Sequence, residues 1–202
     1  MTEQTRLAKE RRPYRLRARA EAMDRTRERI VEAAVGLHGS VGPAATTMSA
    51  VAERAGVTRA TLYRHFPDEE ALFAACSADW LTANPRPDPA RWAAIDDPAR
   101  RLDAALEELY AYYRSTEQLR TNLLRDLDVL PPAIRSGISR YPATVVDVLD
   151  AGWPASSEAR LRRAVIGLVV AFETWRSLAR EGLTDGEARR LLARLVVPIE
   201  PG

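Results

Sequence analysis

Residues 46–72 read TTMSAVAERAGVTRATLYRHFPDEEAL, and this stretch decides the fold. Val51, Ala52 and Ala55 give a short helix one apolar face. Gly56 follows where a chain turning between two crossed helices needs a left-handed residue, which glycine adopts without steric cost. Val57 fills the corner, and Thr58 is a good N-cap for a second helix. Leu62 and Phe66, four apart, turn that second helix back onto the first. The pattern predicts helix, tight turn, helix and the start of another helix, the layout of a helix-turn-helix.

With Leu62 and Phe66 inward, the rest of the second helix faces outward. A helix entering the major groove offers its N-terminal residues to base edges. Arg59 can pair in two-pronged fashion with guanine, Thr61 can meet a base edge, and Ala60 allows close approach. Thr58 stands at the start of this surface. Tyr63, Arg64 and His65 suit phosphates, which set register and carry no sequence information. Thr47 begins the preceding helix and can hold a phosphate with its hydroxyl. A helical hairpin alone would be weak grounds for DNA binding. Exposed arginines, a capping threonine and an aromatic run beside the glycine make a more specific combination.

The match extends beyond the hairpin. RIVEAAVGL at residues 29–37, TTMSAVAERAGV at 46–57 and TRATLYRHFPDEEALF at 58–73 together resemble the DNA-binding domain of TetR-family transcriptional regulators. The resemblance implies an all-α protein, and the apolar periodicity along the chain gives about nine helices. A three-helix DNA-binding domain would be joined to a helical domain for ligand binding and dimerisation. It implies a dimeric repressor, released from a palindromic double-stranded operator by a small molecule. A regulator without an effector, or an activator, is the alternative. It also implies DNA contacts at Thr47, Arg59, Ala60, Thr61, Tyr63, Arg64 and His65. One departure stands out: the family usually has a lysine where this chain has Glu69. Glu69 and Glu70 suit a helix N-terminus and do not suit a phosphate.

The domains expected are a basic, partly disordered arm over residues 1–22, the DNA-binding domain over 23–67 and the helical domain over 68–202. Residues 1–29 hold ten Lys or Arg against five Asp or Glu, with Arg11, Arg12, Arg15, Arg17 and Arg19 closely spaced. Two readings fit this arm: a solvated tail, or a segment that follows the DNA backbone or enters the minor groove. Pro13 is expected to stop a helix there, so the first helix is placed at about 25–37. Further helices are expected at about 68–82, from 97 with Pro98 in its first turn, and at 117–129. Another lies near 134–149, broken or kinked at Pro142. A long one spans 157–180, and the last opens with Thr184 and Glu187 at capping-box spacing.

The last two helices carry the expected dimer surface, through Leu161, Val165, Leu168, Phe172, Leu191 and Leu195. The second domain carries the expected ligand pocket. Its candidate residues are Trp80, Tyr110, Tyr113, Phe172 and Trp175, with polar groups at Asn122, Arg125, Glu173 and Arg176. Core packing or salt bridging is the simpler role for each polar one.

Composition narrows the alternatives. The chain has 202 residues, 46% apolar and 29% charged, which suits a globular protein. No apolar run approaches the roughly 18 residues that span a membrane, and no secretory leader is recognisable. Cytoplasm is therefore expected. Cys76 is the single cysteine and reads as a small buried filler. His38 and His65 have no partner pattern, so neither a metal site nor a cofactor is expected. No nucleophile motif or phosphate-cradling loop supports an enzyme.

Overall fold

The computed structural model describes residues 3–154 and 157–196, with side chains from residue 17 on. Among the described residues every regular element is a helix, and ten of these are α-helices. The chain divides into two units, Met1–Thr82 and Ala83–Gly202.

The first unit holds α1 (Glu3–Ser40), α2 (Met48–Arg54), α3 (Arg59–His65) and α4 (Glu69–Ala83). Ile30, Val31, Ala33 and Ala34 recur at helical spacing on α1. They meet Met48, Val51, Ala52 and Ala55, then Leu62 and Phe66 of α3, then Leu72 and Cys76 of α4. The boundary therefore falls a helix later than the 67/68 division read from sequence, because Leu72 and Cys76 pack into this core. α1 also begins far ahead of residue 25, and residues 3–22 are its opening turns rather than an arm outside it. Pro13 does not stop it. Ala, Leu, Glu, Gln, Lys and Arg, all good helix formers, fill the segment around the ring and outweigh its single lost backbone bond.

Among the described residues of this unit, Cys76 and His38 are sealed from water. Burial pushes the Cys76 thiol up to about 12, so it stays protonated and inert. His38 is buried and stacks on Phe73 with ring centroids 4.4 Å apart. Burial lowers its pKa from 6.5 to about 4.

The second unit holds α5 (Pro89–Ala93), α6 (Pro98–Arg125), α7 (Pro132–Asp150), α8 (Ala159–Val169), α9 (Phe172–Arg180) and α10 (Asp185–Val196). Asp97 caps α6 by accepting from the Ala99 and Arg100 N–H groups, with Pro98 at the first position. Leu102, Ala105, Leu106, Leu109, Tyr110 and Tyr113 make its buried stripe. The two helices expected from 97 and over 117–129 are one. Ser115 and Thr116 lie at the supposed break, but both hydroxyls donate back to the Tyr112 carbonyl and the helix continues. α7 likewise runs across Pro142.

The helix expected over 157–180 is two. It breaks at Val170 and Ala171, and the Tyr110 and Tyr113 hydroxyls donate to the Val169 and Val170 carbonyls at 2.7 and 2.6 Å. The break exposes main-chain acceptors inside the core, and the two tyrosines on α6 satisfy them. The capping box at α10 forms as read: Glu187 Oε2 accepts from Thr184 N–H at 2.8 Å, and Thr184 Oγ1 accepts from Glu187 N–H at 3.3 Å.

Arg101 ties three segments together without any carboxylate. Its buried guanidinium donates to the carbonyls of Ile95, Asp96, Val148 and Ala151. Gly152, with φ of +82°, lets the chain leave α7 over that group.

Arg101→Met removes these donors and leaves several carbonyls buried and unpaired. It should cost about 3 kcal/mol or more, read as a lower urea midpoint followed by Trp92, Trp153 and Trp175 fluorescence. His38 predicts a pH effect. Its folded pKa of about 4 lies below its usual 6.5, so the unfolded chain binds more protons between those values. Its contribution is full above about pH 6.5 and is lost as pH falls toward about 4. His38→Gln should flatten that slope in acid melts of the native chain.

Candidate nucleic-acid interface

The turn between α2 and α3 is built by its backbone. Gly56 sits at φ of +65°. Its N–H donates to the Glu53 carbonyl at 3.0 Å, and the Val57 N–H donates to the Ala52 carbonyl at 2.9 Å. This paired arrangement ends a helix in a left-handed residue and brings Val57 over Ala52. Thr58 then caps α3 by accepting from the Thr61 N–H at 3.1 Å.

Leu62 and Phe66 are fully buried, so the opposite side of α3 is fixed outward. Thr58, Arg59, Ala60, Tyr63 and Arg64 are exposed there, and Thr61 is half-buried beside them. The Thr58 hydroxyl donates to Thr61 Oγ1 at 3.0 Å. That bond uses the Thr58 proton and leaves the Thr61 proton to be given to an acceptor outside. The Arg59 guanidinium lies 5.9 Å from the Tyr63 ring centre, which steadies a long side chain at the front of the helix. Thr47 is exposed, and its oxygen accepts from the Ala50 N–H at 3.1 Å, so its proton also remains to be donated.

His65 differs from its neighbours. It is half-buried, and its Nε2 is shielded and unpartnered among the described residues. Burial, then the charges of Arg64 and Arg27, lowers its pKa, so the ring is neutral at physiological pH. Positive charge at this end of α3 thus comes from Arg64 and Arg27. Arg27 lies outside the residues that the sequence pattern brings forward. Its guanidinium sits 4.8 Å from the Phe66 ring centre. Its place three residues before the first buried position of α1 was the available signal. Glu69 and Glu70 are exposed in the first turn of α4, and Asp68 accepts from the Ala71 N–H there at 2.7 Å. This acidic end repels a phosphate.

The residues read as a ligand pocket fall into several places. Tyr110, Tyr113, Phe172 and Trp175 come together; Tyr113 meets Phe172 edge-on at 5.5 Å and Trp175 at 5.9 Å. Trp175 donates to Asp185 at 2.8 Å, and Asp185 also accepts two bonds from Arg114. Those bonds, Arg114 first, hold the Asp185 carboxyl below its usual range. Arg176 on α9 lies 3.7 Å from Glu117 on α6, while Glu173 is exposed. Asn122 is buried near the end of α6 and accepts from Arg125 at 3.3 Å, and exposed Arg125 also holds Asp126. Trp80 lies on α4, in the first unit. Phe172, expected on the dimer face, is buried in the second core because the chain breaks just before it. Among the described residues no group of three His, Cys, Asp or Glu can hold a metal, and no helix is long and apolar enough to cross a membrane.

Residues 30–76 match the family described as bacterial regulatory proteins, tetR family. The fold is similar to that of a TetR-like transcriptional regulator from Rhodococcus sp. RHA1, at 20% identity and a TM-score of 0.60, over 85% of this chain and 93% of that one. It is similar too to NalD, the secondary repressor of the MexAB-OprM multidrug efflux pump in Pseudomonas aeruginosa. That likeness has 21% identity and a TM-score of 0.56, over 88% of this chain and 96% of NalD. No curated protein matches the sequence.

Thr58→Ala should cost about 1 kcal/mol of stability by removing the cap of α3. It should weaken binding to every DNA sequence by a similar factor and leave the preferred sequence unchanged. Titration of matched and mismatched duplexes at fixed salt checks this.

Proposed function

We propose that this chain, which carries a tetR-type DNA-binding domain on the fold of that family's regulators, binds a palindromic operator as a homodimer. A small organic molecule bound in the second unit releases it, and the regulator acts as a repressor. The observation that carries the reading is the outer side of α3. Arg59, Ala60, Tyr63 and Arg64 stand exposed over the two buried anchors Leu62 and Phe66. Arg59 and Thr61 read base edges in the major groove. Thr47, Tyr63 and Arg64, with Arg27 beside them, hold phosphates and set the register. His65 serves mainly by packing. The basic N-terminal part of α1 adds salt-dependent affinity for the DNA backbone.

Dimerisation is supported by an unpartnered leucine row. Leu161 and Leu168 on α8, and Leu191 and Leu195 on α10, are between 45% and 58% exposed, and these two helices pack together. Val165 is half-buried between them. Fully burying a leucine is worth about 1.5–3 kcal/mol, so a two-fold copy gains substantially by covering the row. Pairing two reading helices doubles the base contacts and matches a palindrome. A ligand that favours one arrangement of the dimer lowers DNA affinity by as much as it discriminates between the two arrangements.

Selection of duplexes from a random pool tests the reading. A palindrome should emerge with the native chain and be lost with the Arg59→Ala, Thr61→Ala double variant. Arg59→Ala alone should cost about 1–3 kcal/mol at one base step of each half-site. Leu168→Glu with Leu195→Glu should give a folded monomer by sedimentation that no longer retains the palindrome. Enrichment of nothing above background by the native dimer, or tight operator binding by the monomer, would overturn the proposal.

A further inference from the structure

Among the described residues, most of the less exposed arginines of the second unit meet an oxygen. Arg101 donates to carbonyls, Arg162 lies 3.4 Å from Asp150, Arg189 reaches Glu107 at 2.7 Å, and Arg176 lies 3.7 Å from Glu117. Arg120, half-buried, meets rings instead. Its guanidinium carbon lies 4.9 Å from the centre of Tyr113, 5.2 Å from Tyr112 and 5.6 Å from Phe172. No carboxylate lies within salt-bridge distance of it among the described residues. Aromatic faces attract a cation, but they leave the five N–H donors of a guanidinium without an acceptor.

Other unused polar groups lie nearby. The Thr121 oxygen is buried without a partner, one residue on from Arg120. Glu117, Arg120 and Thr121 share one face of α6 by their spacing. Arg176 faces Glu117 with its Nε at 3.7 Å, an ion pair too long to be a hydrogen bond. The Tyr113 hydroxyl is committed to the Val170 carbonyl, whereas the half-buried Tyr112 hydroxyl has no hydrogen bond among the described residues. The charges of Arg86 and Arg120 both bear on Tyr141, and Arg86 lies 5.1 Å from that ring. Glu117 and Glu173 offset part of the charge of Arg86, Arg120 and Arg176, and the cluster keeps a net positive charge beside the half-buried Tyr112 and the buried, unpartnered Thr121 oxygen.

We infer that Arg120 is the acid-binding residue of the effector site, and that the effector is a small organic carboxylate with an apolar or aromatic body. This rests on the ligand-responsive reading above. The carboxylate takes a two-pronged pair from the Arg120 guanidinium. The body of the ligand lies against Tyr112 and Phe172. Binding exchanges a cation held only by ring faces for a paired one, so the neutral amide of the same acid gains much less.

The test uses the native protein and three acids, benzoate, 1-naphthoate and octanoate, each beside its primary amide. Calorimetry and quenching of Trp175, which lies 5.7 Å from Phe172, report binding. At least one acid should bind tenfold or more tighter than its amide. Arg120→Gln should remove that preference while the amide is unaffected, and Arg120→Lys should restore part of it. Unchanged melting of the Gln variant confirms that the fold is intact. Equal binding of acids and amides, or an acid preference that survives in Arg120→Gln, would overturn the inference. So would tighter binding of 1-naphthylmethylammonium, since the rings would then be a cage for cations. Operator release is measured separately. An acid that binds through Arg120 but leaves the protein on DNA refutes the release reading and keeps the site. Release by the amides alone does the reverse.

Discussion

The first unit depends on the burial of Leu62 and Phe66. α3 is seven residues long, too short to be stable as a helix in water. It exists because Thr58 caps one end and these two side chains anchor it to α1 and α2. The anchoring also aims the helix. Once Leu62 and Phe66 are inside, no rotation remains that would hide Arg59, Ala60 and Arg64. Stability and the proposed recognition therefore lie on opposite sides of the same two turns. The Gly56 turn supplies the crossing, since its left-handed backbone places Val57 over Ala52 and starts α3 in a fixed direction.

The second unit is organised around a discontinuity. α8 ends and α9 begins inside the core, where unpaired carbonyls are costly. Tyr110 and Tyr113 resolve this by bonding the Val169 and Val170 oxygens, so α6 acts as a surrogate for the next helical turn. The break turns Phe172 and Trp175 inward to meet Tyr113, and leaves Leu161 and Leu168 outward on the segment before it. One pair of hydroxyls thus separates an aromatic interior from a leucine exterior. Arg120 is set against the rings that this arrangement gathers.

The first unit was legible because its signals are local. The glycine, the capping threonine and the four-residue step from Leu62 to Phe66 each fix a neighbour. Other features were decided by partners far along the chain. Ser115 and Thr116 read as the end of a helix, yet their hydroxyls fold back on Tyr112 and the helix continues. Residues 157–180 read as one helix because nothing near Val170 shows that tyrosines 59 and 57 residues earlier can hold its loose carbonyls. Pro13 does not break α1, since a single ring competes against a long stretch of helix formers. Arg120 is not legible as a site residue, because one arginine among many shows nothing of the ring it lies on.

Arg101 has a consequence for how this fold can change over evolutionary time. Its acceptors are main-chain oxygens at Ile95, Asp96, Val148 and Ala151, and a carbonyl is the same in every residue. The side chains at those positions are free to drift without disturbing the bonds. Arg101 should therefore stay fixed in descendants while its four acceptor positions show no co-variation with it, and methods that infer contacts from paired substitutions would be blind to those bonds. Gly152 is the one position that must keep pace. A side chain there would be strained at its positive φ and would press on the guanidinium, which lies 3.4 Å from where a Cβ would stand.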